Sequence, residues 1–212
     1  EPGAKPTPAS DRWVEARVEQ FVRDTETLRL SVEKELAADE VWLGVAARSP
    51  GEVPLEAAKS LATYARAQRF RLHAHVGSTA AESAASVAEQ GRPALALWSE
   101  HGIVDKRFTA VDARHLSGAD FALLGSARAC VCVCPSAEQH GALGSATAEQ
   151  VIAAGAGLAL GSDSQVQIDL LKEARWLEYG WRTRAAGPAT LGNEAATVAF
   201  HAATVGGARS LG

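Results

Sequence analysis

The sequence contains no methionine, not even at position 1. A chain without an initiator is expected to be processed, trimmed or cut from something longer. Cysteine is scarce: three residues among 212, an odd number and too few for a secreted disulfide framework. No run approaches the roughly 18 consecutive apolar residues of a spanning helix, which excludes one. Positive charge is not in excess. With 21 Lys+Arg against 25 Asp+Glu, the formal net charge is −4, which argues against a non-specific nucleic-acid binder. The first residues do not read as a signal or transit segment, and with no Met at position 1 the earlier removal of one is left open. What remains is an ordinary globular balance, 47% apolar and 22% charged. At roughly 150 residues per domain, this is one large domain or a little more, long enough to bury its own core.

Residues 1–10 hold Pro2, Pro6 and Pro8 and read as an extended arm ahead of a single domain over 11–212. Ser10 or Asp11 can cap a long helix reaching about Asp39, whose apolar positions (Val14, Val18, Phe21, Val22, Leu28, Val32, Leu36) keep helical spacing. An outer helix with a solvated face is the plain reading, and a partner-binding helix is the other. Short apolar strands then alternate with helices. Strands are expected over Val41–Ala47, Phe70–Val76, Phe108–Ala113, Cys130–Cys134 and Gly157–Gly161. Helices are expected over Pro54–Ala67, Thr79–Gln90, Ala94–His101, Ser117–Ala127, Thr147–Ala154, Ile168–Thr183 and Leu191–Ala208. This alternation predicts an α/β fold with a parallel sheet covered by helices.

Chemistry in such folds gathers at the C-terminal ends of the strands. There the sequence places Arg48 and Ser49, then His73 and His75, then Asp112, Arg114 and His115. Next come Cys134, Pro135 and Ser136, with Glu138 and His140 in the following loop, and last Gly161, Ser162, Asp163 and Ser164. A histidine on one strand and an aspartate on the last suggest a metal-dependent hydrolase. Polar residues also cap strand ends without any chemistry, and His73 reads as a rim histidine bonded to a neighbour. Cys130, Cys132 and Cys134 alternate on one strand, neighbours about 6.8 Å apart, so all three cannot chelate one ion. That spacing is also the outer limit for a disulfide, and buried thiols acting as small hydrophobes are the expectation.

The helix string Arg175-Trp176-Leu177-Glu178-Tyr179-Gly180, following Gly161-Ser162-Asp163-Ser164, resembles the amidohydrolase superfamily and, within it, the formimidoylglutamate deiminase family. Gly44-Val45-Ala46, Leu72-His73-Ala74-His75, Cys134-Pro135-Ser136 with Glu138, and Ala208-Arg209-Ser210-Leu211-Gly212 have counterparts in the same order. The resemblance covers roughly Trp13 to Gly212. It implies a (β/α)8 barrel with one divalent metal, of which this chain supplies strands four to eight. His75 matches the metal ligand on strand five, and Asp163 the ligand on strand eight.

The departures carry equal weight. The family's His-x-His pair of strand one would lie ahead of Glu1 and is not in this sequence. Ser78 stands where the family has a catalytic Glu, and Asp112 where strand six has a His. Gly51 replaces the Arg that would hold a substrate carboxylate, Arg48 the neighbouring His, and Gln165 the His after the aspartate motif. Catalytic zinc normally has three protein ligands, and a serine hydroxyl cannot shuttle protons as a carboxylate does near neutral pH. The expectation is a catalytically inactive relative with no cofactor, with His75 and Asp163 as relic ligands and Asp112 as a candidate third. A His75/Asp112/Asp163 set would suit Mg, Mn or Fe. Such a chain would serve as a structural subunit, with other protein subunits covering its open barrel edge. An organellar, for instance mitochondrial, subunit stripped of its presequence is one source that fits the missing Met. The alternative is a zinc-dependent deiminase hydrolysing N-formimino-L-glutamate to N-formyl-L-glutamate and ammonia.

Overall fold

The computed structural model describes residues 17–37, 40–142, 144, 148–163, 167–185 (side chains of 184 and 185 excepted) and 194–212. The proline arm, the start of the first helix and Gln165 lie outside the described residues. Five parallel strands form one open sheet in sequential order: β1 (Val45–Ala47), β2 (Leu72–Val76), β3 (Phe108–Asp112), β4 (Cys130–Val133) and β5 (Gly157–Leu160). Helices precede, connect and follow them: α1 (Val18–Glu35), α2 (Leu55–Ala67), α3 (Ala80–Gln90), α4 (Ala94–Glu100), α5 (Gly118–Ser126), α6 (Pro135–His140), α7 (Ala148–Ala153) and α8 (Leu170–Ala185). The chain closes with α9 (Ala195–His201), a π-helical turn (Ala202–Gly206) and α10 (Gly207–Leu211). None of the described helices is long and apolar enough to cross a membrane.

Local chemistry explains the boundaries. In α2, Ala58, Leu61, Ala62 and Ala65 are buried at helical spacing. Thr79 caps α3 by accepting from the Glu82 amide, and Gly91 ends that helix in left-handed backbone at φ 73°. Ser117 and Asp120 form a reciprocal capping box on α5. Strand residues alternate in burial. Leu72, Ala74 and Val76 join the core, while His73 and His75 point to the other face.

Two expectations need correction. The first strand is shorter than Val41–Ala47, because β1 pairs with β2 only through Val45, Ala46 and Ala47. Trp42 ahead of it is 59% exposed, and its indole N–H donates to the Leu211 carbonyl at 3.2 Å. Glu138 and His140 lie in a helix, α6, rather than a loop. It opens with Pro135, where the missing amide N–H is harmless.

One sheet edge is covered by the chain itself. Gly157 and Gly161 donate to the Ala129 and Val133 carbonyls of the β4 segment, so Leu158 turns its carbonyl away from β4. A Cβ on Gly206 would lie 2.1 Å from that oxygen, an approach only glycine permits. The π-helical turn thus packs on the outer edge of β5. His73 Nε2–H donates to the Ser210 carbonyl at 2.9 Å, anchoring α10 to β2 and matching the hydrogen-bonded role expected for this histidine.

Candidate functional site

The polar residues at the C-terminal ends of β2 and β3 converge on one carboxylate. Asp112 Oδ2 accepts from His75 Nδ1–H at 2.9 Å and from the Ser78 hydroxyl at 2.6 Å. Its Oδ1 accepts from Arg114 at 3.0 Å. The Asp112 and Arg114 side chains are only 8% and 7% exposed, whereas His75 is half exposed. Arg114 also donates to the Ser78 carbonyl at 2.9 Å, which ties the two strand ends together.

Backbone geometry makes this possible. Asp112 and Ala113 both adopt left-handed backbone, at φ 75° and 58°, which turns the chain sharply. Arg114 thereby bonds the carboxylate of the residue two before it. Asp163 is also left-handed, at φ 45°. Aspartate tolerates this region better than most residues, and such backbone gathers at functional rims.

The electrostatics follow from the bonds. Burial alone would raise the Asp112 carboxyl, but hydrogen bonds from His75 and Ser78 and the Arg114 charge outweigh it and hold it down at about 2. The bond to Asp112 raises His75, burial opposes that, and the charges of Asp112 and Asp163 add to the rise, while Arg48 counteracts it. With Nδ1–H on a carboxylate, Nε2 is the ring nitrogen left for any ligand.

Glu82 is the residue that motif reasoning passed over. Its carboxylate accepts from the Gly77 and Ser78 amides at 3.3 and 3.0 Å, fixing the loop that carries Ser78. Burial raises its carboxyl against these backbone bonds. The Thr-x-x-Glu spacing of Thr79 and Glu82 is a capping signal that could have flagged it. On the β1 rim, Arg48 is exposed and paired with Glu52 at 2.7 Å. Gly51 sits in a tight turn, in which the Ser49 carbonyl accepts from the Glu52 and Val53 amides at 2.9 and 3.1 Å.

After β4, α6 is locked to α8. Glu173 accepts from the Ser136 amide at 2.8 Å and from its hydroxyl at 2.5 Å, and Glu138 accepts from the Cys134 amide at 3.3 Å. Both glutamates are buried. At the opposite end of the strands, a groove of about 370 Å³ opens among α1, Trp42 and Gly212. It contains none of the rim residues.

The fold has counterparts among known proteins. The Amidohydrolase family matches residues 4–212, nearly the whole chain. The chain belongs to the amidohydrolase family. Among curated relatives, the formimidoylglutamate deiminase of Pseudomonas aeruginosa is 34% identical over 113 residues, 53% of this chain and 25% of that enzyme. The 5-methylthioadenosine/S-adenosylhomocysteine deaminase of Moorella thermoacetica is 29% identical over 144 residues, 66% of this chain and 33% of that enzyme. An amidohydrolase from Brucella melitensis has a TM-score of 0.85 at 26% identity, covering 99% of this chain and 46% of its own. A zinc-bound adenosine deaminase from Xanthomonas campestris has a TM-score of 0.81 at 27% identity, covering 98% and 45%. The amidohydrolase-like chain thus spans just under half of these solved structures, and its open sheet is a partial barrel.

Among the described residues, the donors for an amidohydrolase metal fall short. His75 and Asp163 are the two that the resemblance assigns, and Asp112, the candidate third donor, already accepts three hydrogen bonds. Among the described residues no group of three His, Cys, Asp or Glu is arranged to hold an ion. Two donors do not make the three-ligand set of catalytic zinc.

Proposed function

We propose that this amidohydrolase-like chain is catalytically silent and acts as a structural or assembly subunit of something larger. The Asp112 hub carries the reading. In the family a histidine and a glutamate occupy the positions of Asp112 and Ser78. Here those two residues bond each other, and Arg114 compensates the carboxylate. Neither is free to orient a water or move a proton, so the rim reads as a closed hydrogen-bonded cluster.

The subunit half of the proposal draws on exposed apolar surface. Helix α1 buries no residue fully; Leu28 and Leu30 on it are 52% and 55% exposed, and Leu36 at its end is 45% exposed. Leu36 lines one groove with Val41 and the exposed Trp42, just ahead of β1, which pairs with β2. Other protein subunits covering this edge would bury that surface.

A second reading is that the chain forms part of a complete deiminase hydrolysing N-formimino-L-glutamate with one zinc. The 34% identity to formimidoylglutamate deiminase favours it. Ammonia release from that substrate by the full protein that carries this chain, with zinc in excess, separates the two. The silent-subunit reading expects no release above that of buffer. Release that depends on His75 overturns it.

A further inference from the structure

A second constellation lies one strand further on, and the family reading gives its thiols no role. Register places His75 beside Val111, Val111 beside Cys132, and Cys132 beside Ala159, all on one face of the sheet. Cys132 and Cys134 are free thiols two residues apart, and both sulfurs lie by Gly161. Cys134 is 3% exposed and Cys132 only partly buried, so the pair is reached from the Cys132 side.

The space in front of the two sulfurs is specific. A Cβ on Gly161 would lie 3.1 Å from Cys134 Sγ and 3.2 Å from Cys132 Sγ. Among the described residues, no other atom beyond Gly161 and its chain neighbours comes within 4 Å of that point. Two sulfurs therefore face one small gap that exists because residue 161 has no side chain. Cys130 is set apart: its sulfur faces Gly157, and its thiol donates to the Val131 carbonyl at 3.8 Å.

We propose that Cys132 and Cys134 form a two-coordinate site for a soft, thiophilic monovalent cation of the Cu(I) class, seated in the gap at Gly161. Thiolate sulfur selects soft ions of this kind. A direct disulfide is disfavoured by the strand, which holds alternate Cα atoms about 6.8 Å apart, the outer limit for an S–S bond of about 2.05 Å. An ion between the sulfurs relaxes that demand. Binding exchanges two thiol protons for one metal ion, Cu⁺ + 2 RSH → [RS–Cu–SR]⁻ + 2 H⁺, with both protons leaving to solvent and no change of oxidation state. Asp112, Glu138 and Asp163 act electrostatically on Cys132. Their negative charge opposes the singly charged complex less than it would oppose two bare thiolates. The site uses no family ligand position, so it stands or falls independently of the silent-subunit reading.

Anaerobic competition between the purified chain and a Cu(I) chelator tests the site. One Cu(I) per chain is expected, with a thiolate-to-metal charge-transfer band in the ultraviolet. Cys132→Ala and Cys134→Ala should each abolish the band, and Cys130→Ala should leave it. Gly161→Ala keeps both thiols but fills the gap, and should weaken binding about tenfold or more, as losing support around a metal site does. Circular dichroism of each variant separates loss of binding from loss of fold. The same stoichiometry in Cys132→Ala, undiminished affinity in folded Gly161→Ala, or no Cu(I) uptake by the unaltered chain would each overturn the proposal.

Discussion

Replacing Asp112 with asparagine tests how the rim is held together. The side chain is 8% exposed and accepts from His75, Ser78 and Arg114. Its carboxyl lies at about 2 instead of the ordinary 3.8, after burial has already been opposed. At about 1.4 kcal/mol per pH unit, that depression stabilises the fold by roughly 2 kcal/mol. Asparagine keeps the shape but sets an amide where three donors need an acceptor, so the loss should reach at least about 2 kcal/mol. Urea unfolding at about pH 5.5, where Asp112 is ionised and His75 largely protonated, is the assay. The sign with pH is fixed. A lowered carboxyl stabilises above its unfolded value and loses that contribution as pH falls from about 4 toward 2. The gap between Asp112→Asn and the unaltered chain should therefore close on acidification. A raised histidine stabilises below about 6.5 and loses that contribution as pH rises through its folded value, so the gap also narrows in alkali. A loss under about 0.5 kcal/mol at about pH 5.5, or one unchanged at about pH 2, would refute the hub.

Other outcomes follow from the same contacts. The His75 ring should titrate above the ordinary histidine value by nuclear magnetic resonance, and Asp112→Asn should bring it back down, because the Asp112 bond is the main cause of the rise. Glu173→Ala leaves the buried Ser136 amide without its 2.8 Å acceptor and should destabilise by about 3 kcal/mol in urea unfolding, whereas Ser136→Ala removes only the hydroxyl bond and should lose about 1 kcal/mol. Gly125→Ala would ordinarily favour helix α5 by about 1 kcal/mol, yet its Cβ would lie 1.8 Å from the Ala154 carbonyl oxygen, so calorimetry should show a lower melting temperature.

Much of the fold was legible because apolar runs and alanine-rich stretches punctuated by glycine and proline are local signals. All five strands and most helix limits fall within a few residues of expectation. The failures have physical causes. Val41, Trp42 and Leu43 are as apolar as a strand, but β1 has a partner on one side only, so they run past the sheet and line the groove by Gly212 instead. Helix α6 is six residues long and has no apolar period to read. The π-helical turn is set by a close approach to Leu158 that only the fold reveals. At the rim, sequence named Ser78 and Asp112 as departures from the family. It did not disclose that they bond each other, because that depends on two consecutive left-handed residues, Asp112 and Ala113, that bring Arg114 back onto the carboxylate.

The central proposal is that the rim residues compensate one another, so that the described residues hold no zinc site of the amidohydrolase kind. Zinc titration of the unaltered chain beside His75→Ala and Asp163→Ala, read by mass spectrometry under native conditions, addresses it most directly. The account predicts no stoichiometric zinc that depends on either residue. One zinc per chain, lost in both variants, would contradict it.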